Sequence, residues 1–165
     1  MNIVSVKQFL EYWDSVRGRT RRVVACIPPD RLEWAHRIGS FTLGDLVRHL
    51  ATIERYVYAE TAAGRPSRYP GCGRDLADGY AAVLEYFDQL DSEAKAIIGT
   101  LSDADFERKR ETPAGVAITT WKWLRAMVEH EIHHRGQIYL MLNMLEVPTP
   151  PLYGLTSEEL RAQSI

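Results

Sequence analysis

The sequence predicts an all-α fold, a four-helix up-down-type bundle with a short C-terminal helix, from three observations. Apolar residues recur every three or four positions along four long segments. Proline and glycine mark the joints between those segments. No segment keeps the period-two alternation of a half-buried strand. At 165 residues, 45% hydrophobic and 25% charged, the chain has the size and apolar content of one domain with its own core, so a single domain over residues 1–165 is expected.

The first helix is expected from about Ser5 to Cys26, where Phe9, Leu10, Trp13, Val16, Thr20, Val23 and Val24 recur at helical spacing and Pro28-Pro29 stops it. A polar connector with Trp34 and Gly39 follows. The second helix starts at Thr42, since Thr42-x-x-Asp45 resembles a capping box with the shorter acid in the last place. Leu46, His49, Leu50, Ile53, Tyr56 and Val57 trace its inward stripe to about Ala63, and Gly64-Arg65-Pro66 ends it. The third runs from near Asp75 to Gly99, with Leu76, Tyr80, Val83, Leu84, Phe87, Leu90, Ala94, Ile97 and Ile98 in a 3.6-residue period. Ser102 to Ile118 reads as irregular, with room for a short hairpin. The fourth helix, about Thr119 to Leu145, is apolar around nearly its whole circumference and is expected to be buried on most sides. Pro148-Thr149-Pro150-Pro151 breaks it, and Thr156-x-x-Glu159 opens the last short helix.

Composition excludes several classes of function. Net charge is −2, and the cluster Arg17-Gly18-Arg19-Thr20-Arg21-Arg22 is local, so it reads as a solvated helix face and no nucleic-acid partner is expected. No apolar run approaches the ~20 residues that span a bilayer. The opening residues Met1 to Lys7 carry neither the basic stretch nor the apolar block of a secretory signal, so a cytoplasmic protein is expected. Cys26 and Cys72 stand far apart in unlike contexts and read as free thiols in a reducing compartment.

Three of the five histidines stand in Val128-Glu129-His130-Glu131-Ile132-His133-His134-Arg135-Gly136-Gln137. Helix positions i and i+4 project from one face a turn apart, so His130 and His134 are spaced to chelate one ion through two imidazoles. Their stripe continues through Trp123, Met127, Gln137 and Met141, which reads as bundle interior, whereas His133 points about a quarter-turn away. Two neutral imidazoles on an interior face must satisfy two ring nitrogens each, and a shared metal ion removes that cost. The alternative is pairing with buried hydroxyls or carboxylates such as Tyr56 or Glu54. His49, on the inward stripe of the second helix, is the natural third ligand, because bundle interiors build metal sites from facing helices. The expected centre is therefore one divalent ion on His49, His130 and His134, with zinc or nickel first, iron or manganese after them, and water completing the shell.

Gln137, one turn beyond His134, is a candidate to orient a ligand or to bond a water. Tyr56, seven positions after His49, is a candidate proton donor. Glu54 lies about 140° from the direction of His49 and is expected to pair with Arg48, Arg55 or another helix. His36, in the connector, is given no role.

His130-Glu131-Ile132-His133-His134 is also a literal HExxH, the zincin protease signature, in which the glutamate is general base and a third ligand follows. Only thirty-one residues follow His134 (165 − 134), prolines interrupt them, and no strand is at hand to seat a peptide, so a protease is disfavoured. Glu131 is expected to turn away from the ion. Taken together, Gly44-Asp45-Leu46-Val47-Arg48-His49-Leu50, the His130–Gln137 run, Trp34, and the tail Pro150-Pro151-Leu152-Tyr153-Gly154-Leu155-Thr156 resemble the DinB-like superfamily over nearly the whole chain. That resemblance implies a four-helix bundle, often homodimeric, with a divalent metal on histidines at the positions of His49, His130 and His134. It also implies enzymes that transfer or isomerise with low-molecular-weight thiols such as mycothiol, bacillithiol or glutathione. The expected function is thus a divalent-metal-dependent enzyme of a small-molecule substrate, with a thiol-dependent transferase as the first reading. A metal-dependent hydrolase, or a non-catalytic metal- or ligand-binding bundle, is the alternative. The apolar fourth helix, with Trp121 and Tyr139, adds to the expectation of a homodimer.

Overall fold

The computed structural model describes residues 5–164; the amino-terminal reading above falls mostly on residues 1–4, outside that range. Helix α1 (Val6–Val24) begins at Ser5, whose hydroxyl accepts from the Gln8 amide at 3.2 Å, and ends on Arg21 and Arg22, cations at the negative helix end. Helix α2 (Leu43–Ile53) opens with the predicted box: Thr42 Oγ1 accepts from the Asp45 amide at 2.9 Å, and Asp45 Oδ2 from the Thr42 amide at 3.0 Å. It runs on without a break through a π-helical stretch, Glu54–Ala59, and a closing turn, Glu60–Ala62. The wider π turn shifts everything after Ile53 out of the 3.6-residue register.

Helix α3 (Tyr80–Gly99) starts at Tyr80 rather than near Asp75. The residues before it form a turn in which Arg74 bonds Asp78, and Gly79, at φ 85°, supplies the left-handed step into the helix. The short α4 (Asp103–Phe106) follows. Strands β1 (Lys109–Glu111) and β2 (Ala117–Thr119) then pair antiparallel, Arg110 opposite Ile118, in the stretch where the sequence left room for a hairpin. Helix α5 (Thr120–Met144) and the C-terminal α6 (Ser157–Gln163), opened by the Thr156–Glu159 box, complete the chain.

The architecture is a four-helix bundle, as the periodicities predict. Helices α1 and α2 each pack chiefly against α3 and α5, so α1 and α2 occupy opposite corners. Two apolar clusters stack along the bundle. Val24, Leu43, Leu50, Phe87 and Leu142 belong to one, and Phe9, Trp13, Ile98, Phe106, Leu124 and Met127 to the other. On every long helix the residues between the two clusters include a buried charge: Arg17, Glu54, Asp91 and Glu131. Helix α5 is not enclosed on most sides, contrary to its apolar sequence: Leu124, Ile138 and Leu142 are buried, but Leu140 is 61% and Met144 55% exposed. Trp121 is half-buried, with Lys122 and Arg125 over its ring at 5.4 and 5.7 Å. Cys26 and Cys72 are free thiols, and no described helix is long and apolar enough to cross a membrane.

Candidate metal centre

The first turns of α2 are locked before His49 is reached. Arg48 is fully buried; it pairs with Glu33, donates from Nη1 to Asp45 Oδ1 at 3.0 Å, and donates from Nε to Ala77 O at 2.8 Å. One guanidinium thus ties the connector, the start of α2 and the segment before α3 together. Gly44 fits closely at this crossing: a Cβ there would lie 2.9 Å from Glu33 Oε1 and 3.1 Å from Leu32 Cγ, so those side chains would have to shift. One turn on, Thr52 Oγ1 donates to Gly71 O at 2.9 Å, and after another turn Tyr56 O accepts from the Arg68 amide at 3.2 Å. Arg48, Thr52 and Tyr56 therefore pin the loop after α2 along one side of that helix, and Tyr69 comes down over His49.

His130 and His134 project from α5 toward His49. Nε2 of His130 lies 3.1 Å from Nε2 of His49 and 3.0 Å from Nε2 of His134, and the three ligand atoms all fall within 4.8 Å of one another. Nitrogens 2.0–2.1 Å from a tetrahedral zinc ion stand roughly 3.3 Å apart, so the cluster fits one ion with little movement. The outer nitrogens of two of the three rings have partners. Gln137 Oε1 accepts a hydrogen bond from Nδ1 of His134 at 2.6 Å, which places the proton on Nδ1 and leaves Nε2 a bare lone pair. Nδ1 of His49 lies 2.6 Å from the Tyr69 hydroxyl. Nδ1 of His130 is buried and has no hydrogen-bond partner among the described residues. Without an ion, no arrangement of ring protons pairs all three converging Nε2 atoms, since His134 brings a bare lone pair and His130 Nε2 faces both neighbours. An ion satisfies all three nitrogens at once.

Electrostatics keep the imidazoles neutral. Burial, with a smaller contribution from His134, pushes His49 from 6.5 down to about 4. Burial, then His134, His49 and His133, pushes His130 from 6.5 down to about 3. His134 is also lowered by burial, against the opposing pull of its bond to Gln137. Neutral imidazole is the form that ligates metal. Around the cluster, Phe41 and Tyr69 pack on His49 with ring centroids at 5.6 and 5.5 Å, and Tyr58 covers His130 at 5.9 Å. Tyr58 is held in turn by Trp123, whose ring lies at 4.5 Å and whose Nε1 donates to Tyr58 O at 3.1 Å. A cavity of 380 Å³ is lined by His36, Arg37, Phe41, Leu46, Gln137 and Met141; of these, Phe41 packs on His49 and Gln137 bonds His134.

The carboxylates nearest in sequence are absent from this cluster. Glu131 is fully buried; it accepts from Trp13 Nε1 at 2.9 Å and lies 3.7 Å from Arg17 Nη2. Glu54 pairs across to another helix, with Arg17 of α1, one of the partners its direction allowed. The zincin arrangement, with glutamate beside the ion, is not formed. Tyr56, rotated by the π stretch, makes no ring contact or hydrogen bond to the histidines among the described residues; Arg55 lies over its ring at 4.9 Å. His133 is exposed, with its ring 4.9 Å from that of His134, and His36 is exposed as well. Three residues in the surroundings of the site carry no signal in the sequence: Phe41, just before the Thr42 cap, Tyr69 and Tyr58. Tyr69 sits in a turn-rich loop with no periodicity to read, and Tyr58 faces the site only because the π stretch turns it there.

The DinB superfamily model matches residues 12–138, which is most of the chain. The uncharacterized protein YrdA of Bacillus subtilis strain 168 is 21% identical over 160 residues, covering 94% of this chain and 92% of its own. Among solved structures, a DinB-like protein of Bacillus cereus ATCC 10987 superposes with a TM-score of 0.76 at 16% identity, over 92% of this chain and all of the other. YfiT of Bacillus subtilis, described as a probable metal-dependent hydrolase with an unusual four-helix bundle topology, superposes with a TM-score of 0.69 at 19% identity, over 90% of this chain and 91% of its own.

Proposed function

The chain belongs to the DinB superfamily, and we propose that it is a divalent-metal-dependent enzyme of small-molecule substrates, with His49, His130 and His134 as the metal ligands. The observation that carries this reading is the meeting of three Nε2 atoms at one point, with the outer nitrogens of two of those rings held by Gln137 and Tyr69. Bound there, zinc or nickel would supply Lewis acidity, polarising an electrophile and lowering the pKa of a coordinated water or thiol.

The chain's own residues set the conditions for that chemistry. Three neutral ligands add no negative charge, and Arg17 keeps Glu54 and Glu131 occupied, so the charge of the ion stays undiminished. Gln137 fixes the tautomer of His134, and Tyr69 orients the ring of His49. Phe41, Tyr58 and Tyr69 form apolar walls that limit water around the histidines. The adjoining cavity of 380 Å³ is of the size that holds a small molecule. Hydrolysis is the reaction we put first: water needs no second binding site, and YfiT, of the same fold, is described in those terms. A low-molecular-weight thiol in place of water makes the same centre a transferase.

The test is metal content of untagged protein by mass spectrometry, followed by turnover of a panel of esters and amides with and without added thiol. About one ion per chain, and turnover abolished by chelator and restored by metal, supports the reading; turnover that requires the thiol moves it to the transferase. Protein that retains no zinc, nickel, iron or manganese when each is supplied overturns it.

A further inference from the structure

Three arginines are almost completely buried, and two of them have carboxylate partners. Arg17 pairs with Glu54, Asp91 and Glu131, and Arg48 pairs with Glu33 and Asp45. Arg135, only 2% exposed, has no carboxylate partner among the described residues. Its Nη1 donates to Val16 O at 3.3 Å and Thr20 Oγ1 at 3.4 Å, and its Nη2 to the Tyr153 hydroxyl at 3.0 Å. All three acceptors are neutral. A cation held out of water without a counter-charge is costly, so this position lacks an anion.

Two more guanidiniums with no carboxylate partner among the described residues gather on the same piece of tail. Arg19 lies over the Tyr153 ring at 5.3 Å; its Nη1 donates to Ser15 Oγ, and its Nε is buried without an acceptor. Arg22 donates from Nη2 to Leu152 O at 3.3 Å. Tyr153, itself 76% exposed, is a thin cover over the buried Arg135, while Arg22 is exposed and Arg19 half-buried beside it. Beside it runs a groove of 580 Å³ between α5 and the tail, lined by Arg135 and Tyr153 with Ile132, Tyr139, Thr156 and Ser157, and with Glu158 also in its wall. At 100° per residue, positions 132, 135, 136 and 139 lie on roughly the opposite side of α5 from 130, 134, 137 and 141. The groove is therefore separate from the histidine centre.

We propose that this groove binds a phosphorylated small molecule whose phosphoryl group is the counter-charge of Arg135. A phosphoryl group presents oxygens in a tetrahedral array that a guanidinium and the hydroxyls of Tyr153 and Ser157 meet from different directions. A carboxylate offers a single plane, which one guanidinium fork satisfies. Ile132 and Tyr139 give the body of the ligand an apolar wall.

The test is calorimetric titration of the full-length, metal-loaded protein with phenyl phosphate, with benzoate as the comparator. Phenyl phosphate is expected to bind about tenfold tighter than benzoate, and Arg135→Gln to lose that binding. Because a buried change at Arg135 can disturb folding, the exposed Ser157→Asp carries the decision. It is expected to weaken phenyl phosphate by at least about tenfold, with metal content and thermal midpoint unchanged. No binding at millimolar phenyl phosphate, equal binding by Ser157→Asp, or equal affinity for benzoate overturns the proposal. So does a homodimer that closes the groove and excludes phenyl phosphate.

Discussion

Replacing Gln137 with leucine removes the acceptor on Nδ1 of His134 and touches little else, because Gln137 is exposed on α5. A neutral hydrogen bond contributes about 0.5–1.5 kcal/mol net, and the 2.6 Å separation places this one toward the upper end. A second cost arises because the released imidazole is free to carry its proton on Nε2, and each binding event must then move it back. Partners of metal-ligating histidines are generally worth about 10–100-fold in metal affinity. With one neutral acceptor lost from one of three ligands, Gln137→Leu is expected to weaken metal binding about 10–30-fold, or roughly 1.4–2 kcal/mol. Competition with a chromogenic chelator at neutral pH measures the change, and thermal unfolding of the metal-free protein checks that the fold is intact. Gln137→Glu keeps an acceptor and adds charge, so it is expected to retain the affinity or raise it. Affinity in Gln137→Leu within about twofold of the parent would refute the reasoning, since His134 would then need no outer partner.

Other perturbations separate the centre from its frame. In the metal-free protein His49 and His130 are held down at about 4 and 3 from 6.5. Below pH 6.5 the unfolded chain therefore takes up protons that the folded chain refuses, and stability falls as the pH drops toward 4. Urea midpoints at several pH values measure this; a flat profile contradicts the burial of the rings. Arg17→Leu leaves Glu54, Asp91 and Glu131 buried without their shared cation, at a cost of about 3–5 kcal/mol. The thermal midpoint is then expected to fall by roughly 6–20 °C, and an unchanged midpoint would show that the network contributes nothing. Tyr69→Phe removes the hydroxyl from His49 at a partly exposed position and is expected to lower metal affinity about tenfold with the fold intact. Equal affinity in the chelator competition would remove Tyr69 from the centre.

Most of the bundle was legible because its helices announce themselves through caps, prolines and a 3.6-residue apolar period. Thr42 and Thr156 form the boxes their spacing implied, and Phe9, Trp13, Leu50, Phe87 and Leu142 are buried as the stripes require. The His130/His134 pair was visible for the same reason: a helix turns an i,i+4 spacing into one direction in space. What stayed hidden depends on contacts distant in sequence. The π stretch at Glu54–Ala59 leaves no clear mark in the local residues, yet it moves Tyr56 off the face of His49. Tyr69 reaches His49 only because Arg48 and Thr52 pin a loop whose composition says nothing beyond turn. Helix α5 looked enclosed because apolar residues such as Trp121, Leu124, Ile132 and Leu142 circle it, yet Ile132, Leu140 and Met144 are exposed, since apolarity alone does not bury a residue.

X-ray absorption at the metal edge of the loaded protein counts the imidazoles around the ion directly. Three histidine nitrogens are expected, at about 2.0–2.1 Å for zinc, falling to two in His49→Ala. A coordination shell with fewer than three imidazoles in the parent protein, or with sulfur from Cys72, would contradict the assignment of His49, His130 and His134 as the metal ligands.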